Sequence, residues 1–186
     1  SIFSLDSGKE VKERFTDKTI NELVKACFDM GEVKTGALIV IEQDIRLSEY
    51  ERTGINVDAV LTSQLLINIF EHNTPLHDGA VLVRRNRIVA ATCYLPLSDN
   101  MELSKQLGTR HRAGVGISEV SDSLTIIVSE ETGQVSVAQN GQLSRGLTSA
   151  ELRAALVKAQ NKKVVNNSKL RHLLKGRMKH EESKAD

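Results

Sequence analysis

The chain has 186 residues, 40% hydrophobic and 26% charged, with a formal net charge of +1. That balance belongs to a globular chain with a core of its own and excludes a disordered or fibrous one. Aromatic residues make up only 3% and Trp is absent, so the core is aliphatic, and the exposed rings needed by a stacking platform for single-stranded nucleic acid are missing.

Residues 1–16 are weakly patterned. From Asp17 the apolar residues Ile20, Leu23, Val24, Cys27 and Phe28 recur on one helical face, with Gly31 placed as the C-terminal cap. Gly36 to Glu42 is a continuous β-branched run, which predicts a central strand covered on both faces. A polar stretch containing Gly54 follows. A helix is then expected over Thr62 to His72, ended by Asn73-Thr74-Pro75 because proline disfavours helix in the residue before it. Gly79 to Arg85 and Arg87 to Tyr94 read as a hairpin closed by Pro96. Leu124 to Ser129 and Gln134 to Gln139 repeat that arrangement, and Asn140-Gly141 marks a further turn. Thr148 and Glu151 have capping-box spacing and open a last helix.

The result is an α/β (mixed α+β) fold, with a central mixed sheet of five to six strands and helices on both faces. Residues 1–160 form one domain, and 161–186 a polar tail expected to be disordered or a loose helix. From Lys158 onward nine Lys or Arg face three Asp or Glu, a balance that suits an anionic surface or a solvated terminus. Cys27 and Cys93 lie in apolar segments without Cys-x-x-Cys spacing, as buried thiols of a reducing compartment do. No run approaches the ~18–20 apolar residues of a membrane span.

Four segments carry chemistry. In His77-Asp78-Gly79-Ala80, an Asp at a strand entrance can hold a divalent cation and accept a hydroxyl proton. His77 offers a second ligand, and Gly79 admits a substrate close to the backbone. Taken alone, Asp78-Gly79 reads as an ordinary turn. Thr109-Arg110-His111-Arg112, framed by Gly108 and Gly114, is either a solvated cationic patch or a loop or helix start that grips phosphate. It does not match a Walker P-loop. Ser129-Glu130-Glu131-Thr132-Gly133 suits a hairpin turn or an acidic metal side. Tyr94, followed by Leu95, can stack on a base or pack against the sheet.

In this order, the Asp-Gly-Ala and Arg-His-Arg motifs resemble those of the diadenylate cyclase domain, over roughly Thr16 to Gln160. Thr35-Gly36-Ala37-Leu38-Ile39-Val40 and Ser129 to Gly133 fit as well. The resemblance implies that two ATP molecules are joined into cyclic di-AMP, with Asp78, Gly79, Ala80, Arg110, His111 and Arg112 as the catalytic motif residues. It assigns Mg2+ or Mn2+ to Asp78 and His77, and the triphosphate to Thr109, Arg110, His111 and Arg112. Gly79 also contacts the nucleotide, Ser129 and Glu131 line the phosphate and metal side, and Tyr94 and Leu95 take the adenine. Because the product is built from two identical substrates, two protomers must meet face to face as a homodimer or higher oligomer.

Among members, the chain is most similar to the membrane-anchored type. The expectation is therefore a parent protein held at the cytoplasmic side of the membrane, of which this chain, opening on Ser1, is the soluble part. Two other readings compete. One is an ATP-binding regulatory module without turnover. The other is a nucleic-acid binder using Arg84, Arg85, Arg87 and the basic tail, against which the acidic balance of residues 1–157 and the shortage of aromatics count. The expectation is no nucleic-acid partner.

Overall fold

The computed structural model describes residues 11–160 and 163–164. The expected basic tail otherwise lies outside the described residues. In one unit, strand β1 (Val11–Lys12) pairs antiparallel with β9 (Lys163–Val164). The second unit, Arg14–Gln160, holds the elements between them.

Helix α1 (Asp17–Glu32) starts where Thr16 Oγ1 accepts the Thr19 N–H, and it buries Ile20, Leu23, Val24, Cys27 and Met30. Gly31 is not its cap. The helix continues to Glu32, and Lys34 takes the left-handed conformation at φ 57° while its N–H returns to the Gly31 carbonyl. Gly31 is small for another reason: a Cβ there would collide with the Gly133 carbonyl oxygen, so the end of α1 touches the backbone of a distant turn.

Strand β2 (Ala37–Ile41) is buried along its whole length. Ala37, Ile39 and Ile41 enter one core, Leu38 and Val40 the other, as a strand covered on both faces requires. After the short helix α2 (Ser48–Glu51) comes β3 (Ile55–Val60), then α3 (Ser63–Phe70), capped by Thr62. The hairpin strands β4 (Ala80–Arg84) and β5 (Arg87–Cys93) follow. Helix α4 (Thr109–Val120) precedes β6 (Leu124–Val128), β7 (Val135–Gln139) and β8 (Gln142–Ser144). Helix α5 (Ser149–Ala159) opens on the complete capping box of Thr148 and Glu151.

The sheet has seven strands in the order β3-β5-β4-β2-β6-β7-β8, and only β2 and β4 run parallel. The two strands beyond the expected five to six are the edges, β3 and β8. Both are largely exposed and lack the continuous apolar run of the buried strands; β3 shows only a short alternation of Ile55, Val57 and Ala59 with polar residues. One core contains side chains of α1, α3 and α5 against one sheet face; the other contains Ala113, Val115 and Ile117 of α4 against the opposite face.

Candidate functional site

One edge of the sheet collects the segments singled out in the sequence. Register places the start of β4 beside the end of β5 (Ala80 opposite Cys93) and parallel to the start of β2. The start of β2 lies opposite the end of β6 (Ala37 with Val128), and the end of β6 opposite the start of β7 (Val128 with Val135). Along this edge the order is therefore Tyr94, Asp78-Gly79, Thr35-Gly36, Ser129 and Gln134. Neighbouring strands are ~4.8 Å apart, so the series is a row of adjacent groups.

A cleft of about 140 Å3 lies between the start of α4 and the β6–β7 turn. Thr109, Arg110 and His111 line one side, Ser129, Glu130 and Glu131 the other, with Gln134 and Arg145 completing it. Gly108 precedes α4 without a side-chain cap, so the first amides of the helix keep their hydrogen-bonding capacity beside the cleft. Such an end favours anions. Ser129 Oγ accepts the N–H groups of Glu131 and Thr132, both at 3.2 Å, which fixes the turn and leaves the hydroxyl hydrogen to donate.

Arg110 is held in place twice. Its Nη1 lies 3.1 Å from Glu130 Oε2, and its guanidinium covers Gly36, where a Cβ would come within 2.6 Å of Nη1. A larger residue there would have to displace the Arg110 side chain. His111 is buried, and burial, followed by the charges of Arg145 and Arg110, holds its imidazole below the ordinary value of 6.5. The imidazole is thereby biased toward its neutral form. Arg112 is not part of the cleft lining; its Nη2 donates to the Ser104 carbonyl at 3.4 Å, and its own carbonyl accepts the Ser98 N–H.

Asp78 and Gly79 stand nearby on the same edge, outside the cleft lining. Asp78 is exposed, and its Oδ1 accepts the Gly79 N–H at 3.0 Å, leaving Oδ2 available. Gly79 has φ +84°, and a Cβ would come 2.9 Å from the Thr92 carbonyl carbon, so both conformation and closeness require glycine. Ala80 is wholly buried in the sheet and offers no surface. His77 lines a second depression shared with Gly36 and Arg110. Its Nδ1 lies 2.7 Å from the Thr74 carbonyl oxygen, which can only accept, so Nδ1 carries a hydrogen and Nε2 is the nitrogen left to meet a ligand.

Among the described residues no cluster of three or more His, Cys, Asp or Glu is arranged to hold a metal. A carboxylate such as Asp78 suits a hard cation that takes its remaining oxygens from water and substrate phosphates, whereas the imidazole nitrogen of His77 is a softer donor. Tyr94 is 79% exposed, with its ring at the surface, while Leu95 packs against the α4 core. Both cysteines are free and buried, and burial pushes Cys27 up to about 12 and Cys93 to about 11.

Two of the three arginines of the nucleic-acid reading are engaged elsewhere. Arg84 donates to Glu42 (2.7 and 2.9 Å) and Glu51 (2.6 Å), and Arg87 to Asp58 (2.9 Å). The cleft contributions of Gln106, Gln134 and Arg145 were not anticipated from the sequence. The only advance signal for Arg145 was the Asn140-Gly141 turn, which sends the chain back toward the same edge.

Comparison with known proteins gives the family. Over 150 residues the chain is 57% identical to the cyclic di-AMP synthase CdaA of Bacillus subtilis (strain 168), a match covering 81% of this chain and 55% of that protein. The chain thus spans about half the length of that relative. The crystal structure of a double mutant of DacA from Staphylococcus aureus superposes with a TM-score of 0.76 at 47% identity, covering 77% of this chain and 96% of that one. A hypothetical membrane spanning protein from Bacillus cereus matches with a TM-score of 0.69 at 45% identity, over 72% and 65% of the two chains. Residues 24–143 match the DAC family, described as DisA bacterial checkpoint controller nucleotide-binding. With both motifs on one sheet edge and a family match across most of its length, this chain belongs to the DAC family.

Proposed function

We propose that this chain condenses two molecules of ATP into cyclic di-AMP and two pyrophosphates, at a site completed by a second protomer facing the first. The observation that carries it is that Asp78-Gly79 enters β4 one strand from Gly36, across which Arg110 lies, although about thirty residues separate Asp78 from Arg110 in the chain. The name of the Bacillus subtilis relative supports the same activity.

The row along the edge follows the parts of a nucleotide. Tyr94 and Leu95 receive the adenine, Asp78 and Gly79 lie at the reacting centre, and Thr109, Arg110, His111 and Ser129 hold the phosphates. Arg112 supports the Arg-His-Arg segment through Ser104 and Ser98. The 3′-oxygen of one ATP bonds to the α-phosphorus of the other while the bond to the β-phosphate oxygen breaks. Asp78 Oδ2, the oxygen not used by Gly79, accepts the hydroxyl proton. Neutral His111 donates a hydrogen bond without adding a charge that must be desolvated. Arg110, fixed by Glu130 and Gly36, supplies the fixed positive charge such transfers depend on. Mg2+ or Mn2+, held by Asp78 and His77, would supply charge neutralisation when bound.

Residues 1–160 are the catalytic domain in this proposal, and the chain is part of a membrane-anchored protein acting on the cytoplasmic side. The membrane-spanning relative from Bacillus cereus supports that placement. Among the described residues no helix is long and apolar enough to cross a membrane.

The deciding experiment incubates the protein with ATP and Mn2+ or Mg2+ and follows cyclic di-AMP and pyrophosphate. Formation of both is expected. ATP binding without pyrophosphate release, at every protein concentration and with either metal, would instead mark a regulatory module.

A further inference from the structure

The cleft beside α4 has an electrostatic gap that the two motifs do not fill. A triphosphate carries several negative charges, yet Glu130 and Glu131 place two more in the lining. Arg110 is already paired with Glu130 at 3.1 Å, Arg112 is not in the lining, and His111 is biased toward neutrality. From the Arg-His-Arg segment alone, the lining would be net negative toward its own ligand.

Arg145 fills that gap. Strand β8 pairs with β7 through Val137 opposite Ser144 and Gln139 opposite Gln142, so the next residue arrives at the edge of Gln134 and Ser129. The Leu147 N–H donates to the Val135 carbonyl at 2.8 Å and pins the chain just beyond. Arg145 thus stands across the cleft from the start of α4, near enough for its charge to act on His111. Its guanidinium makes no hydrogen bond or ion pair with any other described residue, so its donors are free for a ligand. Guanidinium groups bind phosphate oxygens through paired N–H donors.

We propose that Arg145 binds the terminal phosphates of ATP, closing the phosphate cleft from the side opposite the Thr109–His111 turn. Its position at the β8 end of the edge, farthest from Asp78, matches the pyrophosphate end of the substrate. The role rests on the nucleotide reading of the cleft above.

The test compares the parent protein with Arg145→Ala, Arg145→Lys and Arg110→Ala. Affinities for ATP, inorganic triphosphate and AMP are measured by calorimetry, and His111 is followed by NMR titration. Arg145→Ala should weaken ATP and triphosphate binding about tenfold and change AMP less than about twofold. Arg145→Lys should fall between, and the His111 titration should move upward in Arg145→Ala with the urea midpoint unchanged, a pairing that a structural loss exposing His111 would not produce. Unchanged ATP affinity in Arg145→Ala, with weakened binding in Arg110→Ala, would overturn the role of Arg145 and leave the nucleotide site standing. Equal losses for AMP and triphosphate would also overturn it. Failure of the parent to bind ATP at all would remove both.

Discussion

At the scale of single residues the site divides its labour. Asp78 is the exposed carboxylate with one oxygen uncommitted, so Asp78→Asn should reduce cyclic di-AMP synthesis at least about a hundredfold, the usual scale for losing a general base. ATP affinity should stay within about threefold, checked by calorimetry beside the product assay. Arg110 is the opposite case, a guanidinium locked between Glu130 and Gly36 and aimed into the cleft. Arg110→Ala should weaken ATP binding by about tenfold or more, since a charge-assisted hydrogen bond is worth about 1.5–3 kcal/mol. His111 gives a pH signature. Burial first, then Arg145 and Arg110, hold it below 6.5, so the folded state binds its proton less readily than the unfolded chain. Its contribution to stability is complete above pH 6.5 and is lost as pH falls through the lowered folded value. Urea unfolding at pH 7.5 and 5.5 should show a stability drop that shrinks in His111→Gln.

At the scale of elements, the two ends of the sheet do different work. The edge carrying Asp78, Gly36 and Ser129 is the proposed site. The opposite end of the parallel pair β2 and β4 holds a buried ion-pair cluster: Glu42 accepts from Arg84 and from the Leu47 N–H, and Arg84 also reaches Glu51. Glu42→Ala would leave a guanidinium, only 18% exposed, with half its partners gone, and about 3–5 kcal/mol of stability should be lost in chemical denaturation. Because this cluster is at the far end of the strands, the ATP affinity of the folded fraction should be unchanged.

The sequence shows the elements unevenly. The amphipathic faces of α1 and α3 and the fully apolar β2, β4 and β6 are legible because burial dictates their residue types. Helix α4 is legible only as a possible helix start, since Gly114 and Gly116 let it pack close to Ile127 and Pro96 and remove the apolar stripe that would announce it. Strand β3 hides behind exposed residues and a bulge near Asp58, at φ 45°.

At the scale of the whole molecule, the proposed reaction, a symmetric product made from two copies of one substrate, would tie turnover to association. Specific activity should rise with protein concentration and level off once protomers are paired, with ATP binding present throughout. Activity per protomer that stays constant on dilution well below the dimer's dissociation constant would exclude the shared site.

The Asp-Gly-Ala and Arg-His-Arg motifs, the aliphatic core and the helical caps are properties of neighbouring residues, and the sequence by itself determined them. Local rules of burial, backbone conformation and capping act over a few positions. Which motif lies beside which was decided only in the tertiary structure. Pairing of Ala37 with Val128, and of Val137 with Ser144, joins segments through hydrogen-bond register, which no local pattern encodes. The same register laid Arg110 across Gly36, sent Arg112 away from the cleft, and brought Arg145 to it from outside either motif.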